Sequence, residues 1–269
     1  WNKVKFMLED FAKNNGVKNH FIKTNGREMI NDPTIANEYG IKDGWWGEVS
    51  HGIFFCGISA PLTILDGIGT IFIASSFSEN NPKVPWGSHP SIDNEIRWAD
   101  TKIIHDAYEI GRSEKIRQVL KETPEYLKHL RVCHSQFSKL NCGSCEKCLR
   151  TVTGLVLEDI DPNKCNFNIK PSIFDLIRIH IDKGFISIRK ENWENIQDNI
   201  PPHMDENKFY DSKKFFKWLN NYDFSEYEYK GNKRLSQLSK AYYMSKYIGL
   251  KHVFKRLYFY ATEKFKFKD

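Results

Sequence analysis

The sequence predicts an α/β protein: a doubly wound parallel sheet carrying a cysteine metal clip, followed by a helical C-terminal region. Three observations predict it. Helix-like and strand-like stretches alternate through the first 130 residues, as they do where strands are joined by helices that cover the sheet. Four of the six cysteines fall between Cys133 and Cys148 in a C-x8-C-x2-C-x2-C pattern. Beyond residue 157 the apolar positions recur mainly at helical spacing.

The elements follow in chain order. Residues 2 to 15 read as an amphipathic helix closed by Asn15 and Gly16, since glycine readily takes the left-handed conformation that ends helices. Val17 to Thr24 alternates enough for a short strand, turned by Asn25 and Gly26. Residues 27 to 50, with Pro33, Trp45 and Trp46, read as short helical pieces and loop. From Ser50 a nearly all-apolar element runs through Ile53, Phe54, Phe55, Ile58, Leu62 and Leu65, which predicts a buried helix with Ser50 as its N-cap and a kink at Pro61. Thr70 to Ala74 is a short continuous apolar run of the kind found in the middle of a parallel sheet. Ser75 and Ser76 follow it at the carboxyl end, where open α/β sheets bind ligands. Residues 80 to 100 form a long loop, Thr101 to Tyr108 another strand, residues 112 to 121 a basic helix, and Leu130 to Val132 a last strand into Cys133. Helices are then expected over Arg150 to Leu157, Ile173 to Ile181, Trp193 to Ile200, around Phe215 to Leu219, and from Leu235 to about Phe259. The domains expected are 1–157, with the clip at 133–148, and 158–269.

With 269 residues, 40% of them apolar, the chain is long enough to bury a sizeable core. No apolar run is expected to approach the eighteen or so residues of a membrane span, and the N-terminus lacks a secretory h-region, so a cytoplasmic protein is expected. The net charge of +6 is uneven: residues 230 to 269 hold 11 Lys+Arg against 2 Asp+Glu, a local +9 that leaves −3 for the rest. The basic character belongs to the tail, so it says nothing about nucleic acid binding by the main domain.

Cys133, Cys142, Cys145 and Cys148 are the candidate ligands of a structural Zn2+. Two C-x2-C turns can bring thiolates onto one tetrahedral ion, and four protein ligands leave no open position. Asn141 and Gly143 suit a tight turn through left-handed backbone. A pair of disulfides or simply buried free thiols are the alternatives, and disulfides need an oxidising compartment. Cys56 and Cys165 stand apart.

The run Asn141, Cys142, Gly143, Ser144, Cys145, Glu146, Lys147, Cys148, followed by Leu149, Arg150 and Thr151 and preceded by Cys133, resembles the zinc motif of 7-cyano-7-deazaguanine synthases, members of the PP-loop (N-type) ATP pyrophosphatase family. An uncharacterised branch of that family is similar also through His105, Asp106, Arg112, Glu114 and Lys115. The resemblance covers roughly residues 3 to 157. It implies a Rossmann-like, adenine nucleotide alpha hydrolase-like fold and ATP-dependent ligation, in which a substrate carboxylate or carbonyl oxygen is activated as an adenylate. The cofactors implied are Zn2+ and ATP with Mg2+, and the partners a small-molecule substrate and ATP, with a homodimer as an option. The family's Ser-Gly-Gly-x-Asp-Ser loop is absent from this sequence. It would lie one strand and one helix ahead of Trp1, so an N-terminal piece is expected to be missing; the rival reading is a degenerate relative without ATP hydrolysis.

The nucleotide-binding candidates are Ser50, His51, Ser75, Ser76 and Arg112. Ser50 and His51 open a helix and could face phosphate, although capping alone explains Ser50. Arg112 could hold a phosphate or belong to a solvated basic face with Lys115 and Arg117. His89, His105 and Asp106 could do acid/base work or be structural. The aromatic, basic tail at 230–269 could meet RNA or an anionic membrane; a final helix packed on the domain is the preferred reading.

Overall fold

The computed structural model describes residues 1–42, 44–79, 84–133, 140–203, 209, 212–230 and 234–248. It is mixed α/β, 51% helix with a small three-stranded mixed sheet. The chain makes two compact units: a helical unit of residues 1–15 and 115–269, and a sheet unit of residues 16–114. The boundary expected at 157/158 falls inside the helical unit, because the helices on both sides of it share one core.

The chain starts in the helical unit with α1 (Asn2–Asn14), which ends at Asn15 ahead of a left-handed Gly16, as its sequence predicts. It crosses to the sheet unit for α2 (Asp32–Glu38), α3 (His51–Gly57), α4 (Ala60–Asp66), β1 (Thr70–Ala74), α5 (Pro90–Asp93), β2 (Arg97–Trp98), β3 (Thr101–Asp106) and the start of α6 (Arg112–Lys115). It returns for α7 (Glu146–Leu157), α8 (Ile173–Asp182), α9 (Lys190–Asp198), α10 (Ser212–Asn220) and α11 (Arg234–Ile248). The part of the last expected helix beyond residue 248 lies outside the described residues.

In the helical unit α7 is the central element. Every residue from Cys148 to Leu157 is buried. Around it close Ile173, Phe174, Leu176, Ile177, Trp193, Ile196, Phe216 and Leu219, the apolar faces that helical periodicity assigns to α8, α9 and α10, together with Phe167 and Phe224 from the connecting segments. Burying an aromatic or aliphatic side chain of this kind stabilises by about 1.5–3 kcal/mol each. That is why this unit, and not the sheet, carries the main core.

In the sheet unit the strand order is β1-β3-β2. β1 runs parallel to β3, with Thr70 opposite Lys102 and Ala74 opposite Asp106, and β2 is antiparallel to β3. Thr101, Ile103 and His105 alternate inward along β3, the period-two pattern of a strand with one buried face.

Several sequence expectations are corrected here. Val17–Thr24 forms no strand; Val17, Phe21 and Ile22 are exposed, and an alternating run without a neighbour to take its hydrogen bonds does not become a strand. Residues 130–132 likewise form none. The Ser50–Leu65 element is helical but not buried, with Ile64 62% and Leu65 82% exposed. A π-helical turn, Trp46–Ser50, precedes it; Ser50 stands at the N-cap position of α3 as expected but makes no side-chain capping bond, its hydroxyl donating to the Trp45 carbonyl instead. Trp46–Asp66 is in fact long and apolar enough to cross a membrane by length and composition alone, with a mean hydropathy of 1.3. Finally, β1 is an edge strand among the described residues, with Phe72 64% exposed, and not the middle of a sheet.

Candidate metal centre

Three pieces of chain bring the four cysteines together. The first is the extended limb ending at Cys133, held by the side chain of Asn141. That buried amide accepts from the Val132 N–H at 3.0 Å and donates to the carbonyls of Leu130 (2.9 Å) and Cys165 (3.0 Å). Asn141 thus serves through its side chain, a role sequence reasoning missed by looking only at its backbone; it is not among the positive-φ residues. The second piece is the turn Cys142–Cys145, where Gly143 has φ 68° as expected. A side chain there would be strained. The turn aims the N–H groups of Ser144 and Cys145 at Cys142 Sγ, at 3.5 and 3.3 Å. The third piece is α7, whose N-cap is Cys145 and whose first turn carries Cys148. The positive end of a helix of this length favours thiolates beside it.

All four Sγ atoms lie within 4.8 Å of one another. Cys133 and Cys145 Sγ are 3.9 Å apart, and Cys142 and Cys148 Sγ 3.8 Å. A disulfide would need about 2.0 Å. A tetrahedron with Zn–S bonds of about 2.3 Å has S···S edges of about 3.8 Å, so the donor set fits a metal ion such as zinc. Cys133, Cys142 and Cys148 are buried, and Glu146 is tied to Arg150 at 2.7 Å on the first two turns of α7.

Without a cation the sulfurs must share protons. Hydrogen bonds from Cys133, Cys145 and Cys148 hold Cys142 well below the usual thiol range. Cys145 and Cys148 are pushed well above it, first by their bonds to Cys133 and Cys142. Cys133 settles at about 6, raised by Cys142 and lowered by more through Cys145 and Cys148. Like charges this close cannot all ionise unless a cation sits among them. Cys56 and Cys165 stay apart from the group; burial pushes them up to about 11 and about 12.

The nucleotide-binding candidates all belong to the sheet unit. The half-buried Ser75 uses its hydroxyl on the Ala107 carbonyl at 2.8 Å and its N–H on the Asp106 carbonyl at 3.0 Å, tying β1 to β3. Ser76 is exposed beside it. His51 packs its ring against Trp46, Phe55 and Trp86, and Trp86 in turn meets Phe77. A chain of rings therefore links His51 to the segment after β1. Arg112 is half-buried at the start of α6, next to Gly111, whose N–H is held by Glu114 at 2.7 Å. Sequence reasoning also missed Ser88 and Asp93, which bond to each other and, through Asp93, to His105; the short Ser88-to-Asp93 spacing in a proline-bearing loop was the available signal. Comparison with protein-family models, with characterised proteins and with solved structures found no match to this chain.

Proposed function

We propose that this chain belongs to an ATP-dependent ligase of the PP-loop type, similar to 7-cyano-7-deazaguanine synthase, in which the four cysteines hold a structural zinc ion. The observation that carries the reading is the cysteine constellation, in its spacing and in its setting at the head of α7. Ser75 and Ser76 at the carboxyl end of a parallel pair support a Rossmann-like sheet that takes a nucleotide there.

In this reading zinc does no chemistry. Cys133, Cys142, Cys145 and Cys148 saturate it, and it cross-links the 130–133 limb, the 142–145 turn and α7. Ser75, Ser76, His51 and Arg112 would orient the nucleotide, so catalysis by the chain consists of positioning and charge stabilisation. The 269 residues hold no Ser-Gly-Gly-x-Asp-Ser run, and ATP turnover is therefore not assigned to them alone.

The test is titration of ATP-Mg into this chain, with metal analysis alongside. Bound zinc together with saturable ATP binding supports the ligase. Bound zinc with no ATP binding would move the assignment to a zinc-clipped scaffold. The +9 of residues 230–269 would then make RNA the next ligand to try.

A further inference from the structure

The sheet unit contains a second polar cluster, independent of the cysteines. Asp93 closes α5, and its Oδ2 accepts from Ser88 Oγ at 2.7 Å and pairs with His105 Nδ1 at 2.7 Å. The side chains of His105 and Asp93 are 1% and 0% exposed. The backbone is shaped around this pair. Gly52 N donates to the Gly87 carbonyl at 2.6 Å, Gly87 N to the Gly47 carbonyl at 2.7 Å, and His105 N to Asn94 Oδ1 at 2.7 Å. A Cβ on Gly52 would collide with Asp93 Oδ1, and one on Gly87 with the backbone of Val49.

When the carboxylate takes the Nδ1 hydrogen of a neutral imidazole, the other ring nitrogen keeps a lone pair. That atom, His105 Nε2, is buried and has no hydrogen-bond partner among the described residues; the same holds for Trp86 Nε1, two residues before Ser88. Buried polar atoms are nearly always paired, so an orphan calls for a ligand or a water. The place is apt: His105 stands in register with Ile73, at the carboxyl end of the parallel β1–β3 pair, with Tyr108 edge-on at 5.7 Å and His89 bonded to the Tyr108 hydroxyl. No Lys or Arg is paired with Asp93 among the described residues. Asp93 Oδ1 is likewise buried with no hydrogen-bond partner among the described residues, so the pair presents a second unfilled acceptor.

We propose that Asp93 and His105 form the proton-accepting wall of a ligand site that takes a primary amine. The ammonium form supplies N–H donors for both unfilled acceptors, His105 Nε2 and Asp93 Oδ1. Transfer of one N–H proton to Nε2 leaves an imidazolium held by Asp93 and an amine with its lone pair free. This site does not depend on the zinc or on ATP. Loss of either assignment leaves it standing.

The test uses the full chain with 15N-labelled histidine at pH 7.5, read by long-range 1H–15N spectra. Methylammonium and tetramethylammonium serve as probes: the two carry the same charge, but only the first has an N–H. The expected result is an unprotonated Nε2 in the free protein, a saturable shift with methylammonium and none with tetramethylammonium, and at least a tenfold weaker response in Asp93→Asn. An Nε2 already protonated in the free protein, or equal or absent responses to the two probes, would overturn the proposal. Should Asp93→Asn not fold, the wild-type spectra decide alone, with Ser88→Ala expected to weaken the response less than tenfold.

Discussion

Cys145→Ala removes one of four sulfurs from the cysteine group and leaves three thiols around a site that prefers four. Cys145 is only half-buried, so the lost packing is small and the effect reports the metal. At free zinc about a thousandfold above its dissociation constant, a bound ion adds about 4 kcal/mol to stability. Weaken binding a thousandfold at the same free zinc and about 0.4 kcal/mol remains. A domain of 150–250 residues loses about 2–4 °C per kcal/mol, which translates to a fall in Tm of about 7–15 °C. The assay is metal analysis together with thermal melting in a zinc buffer, with Cys165→Ala as the companion. That variant lies in the core but outside the four, and it should keep its zinc whatever it does to stability. Unchanged zinc and unchanged Tm in Cys145→Ala would refute a structural metal site.

Asn141→Ala strands the Val132 N–H and the carbonyls of Leu130 and Cys165. At about 1–3 kcal/mol per buried orphan, a loss of roughly 3 kcal/mol and a zinc affinity about 10–100-fold weaker are expected; chelator competition giving wild-type affinity would count against the hub role. Gly52→Ala drives a methyl into Asp93 Oδ1 and to 2.8 Å from the Gly87 carbonyl, an overpacking that costs about 1–3 kcal/mol, and a denaturation midpoint within error of wild type would contradict that packing. Cys165 has its thiol raised by burial from 9.0 to about 12. The folded state holds this proton more tightly than the unfolded chain, so its contribution is complete below pH 9 and disappears as pH rises from 9 through 12. Cys165→Ala should flatten that alkaline limb in urea melts; a limb of the same steepness would show that another group causes it.

Much of the candidate metal site was legible from the residues alone. C-x2-C spacing is a local geometric constraint, and Gly143 had to be glycine-like because the turn between two sulfurs needs a positive φ. The helices α7 to α10 were legible for the same reason: their apolar spacing repeats with the helix, and the core they make is what that spacing requires. Composition showed the uneven charge, and the run Thr70–Ala74 announced a strand.

What only the tertiary structure decided were the facts that depend on neighbours. Val17–Thr24 had a strand's pattern and no partner, so it formed none. Ile64, Leu65 and Phe72 read as core but stay exposed, because an apolar stretch is buried only where another element covers it. Asn141 became a hub when Leu130, Val132 and Cys165 arrived from other parts of the chain. Asp93 and His105, twelve residues apart in different elements, became a pair because Gly52 and Gly87 let two backbones close around them. Local spacing determines which atoms a segment can present. Which of them meet is set by contacts between segments, and the amino-acid order does not display those directly.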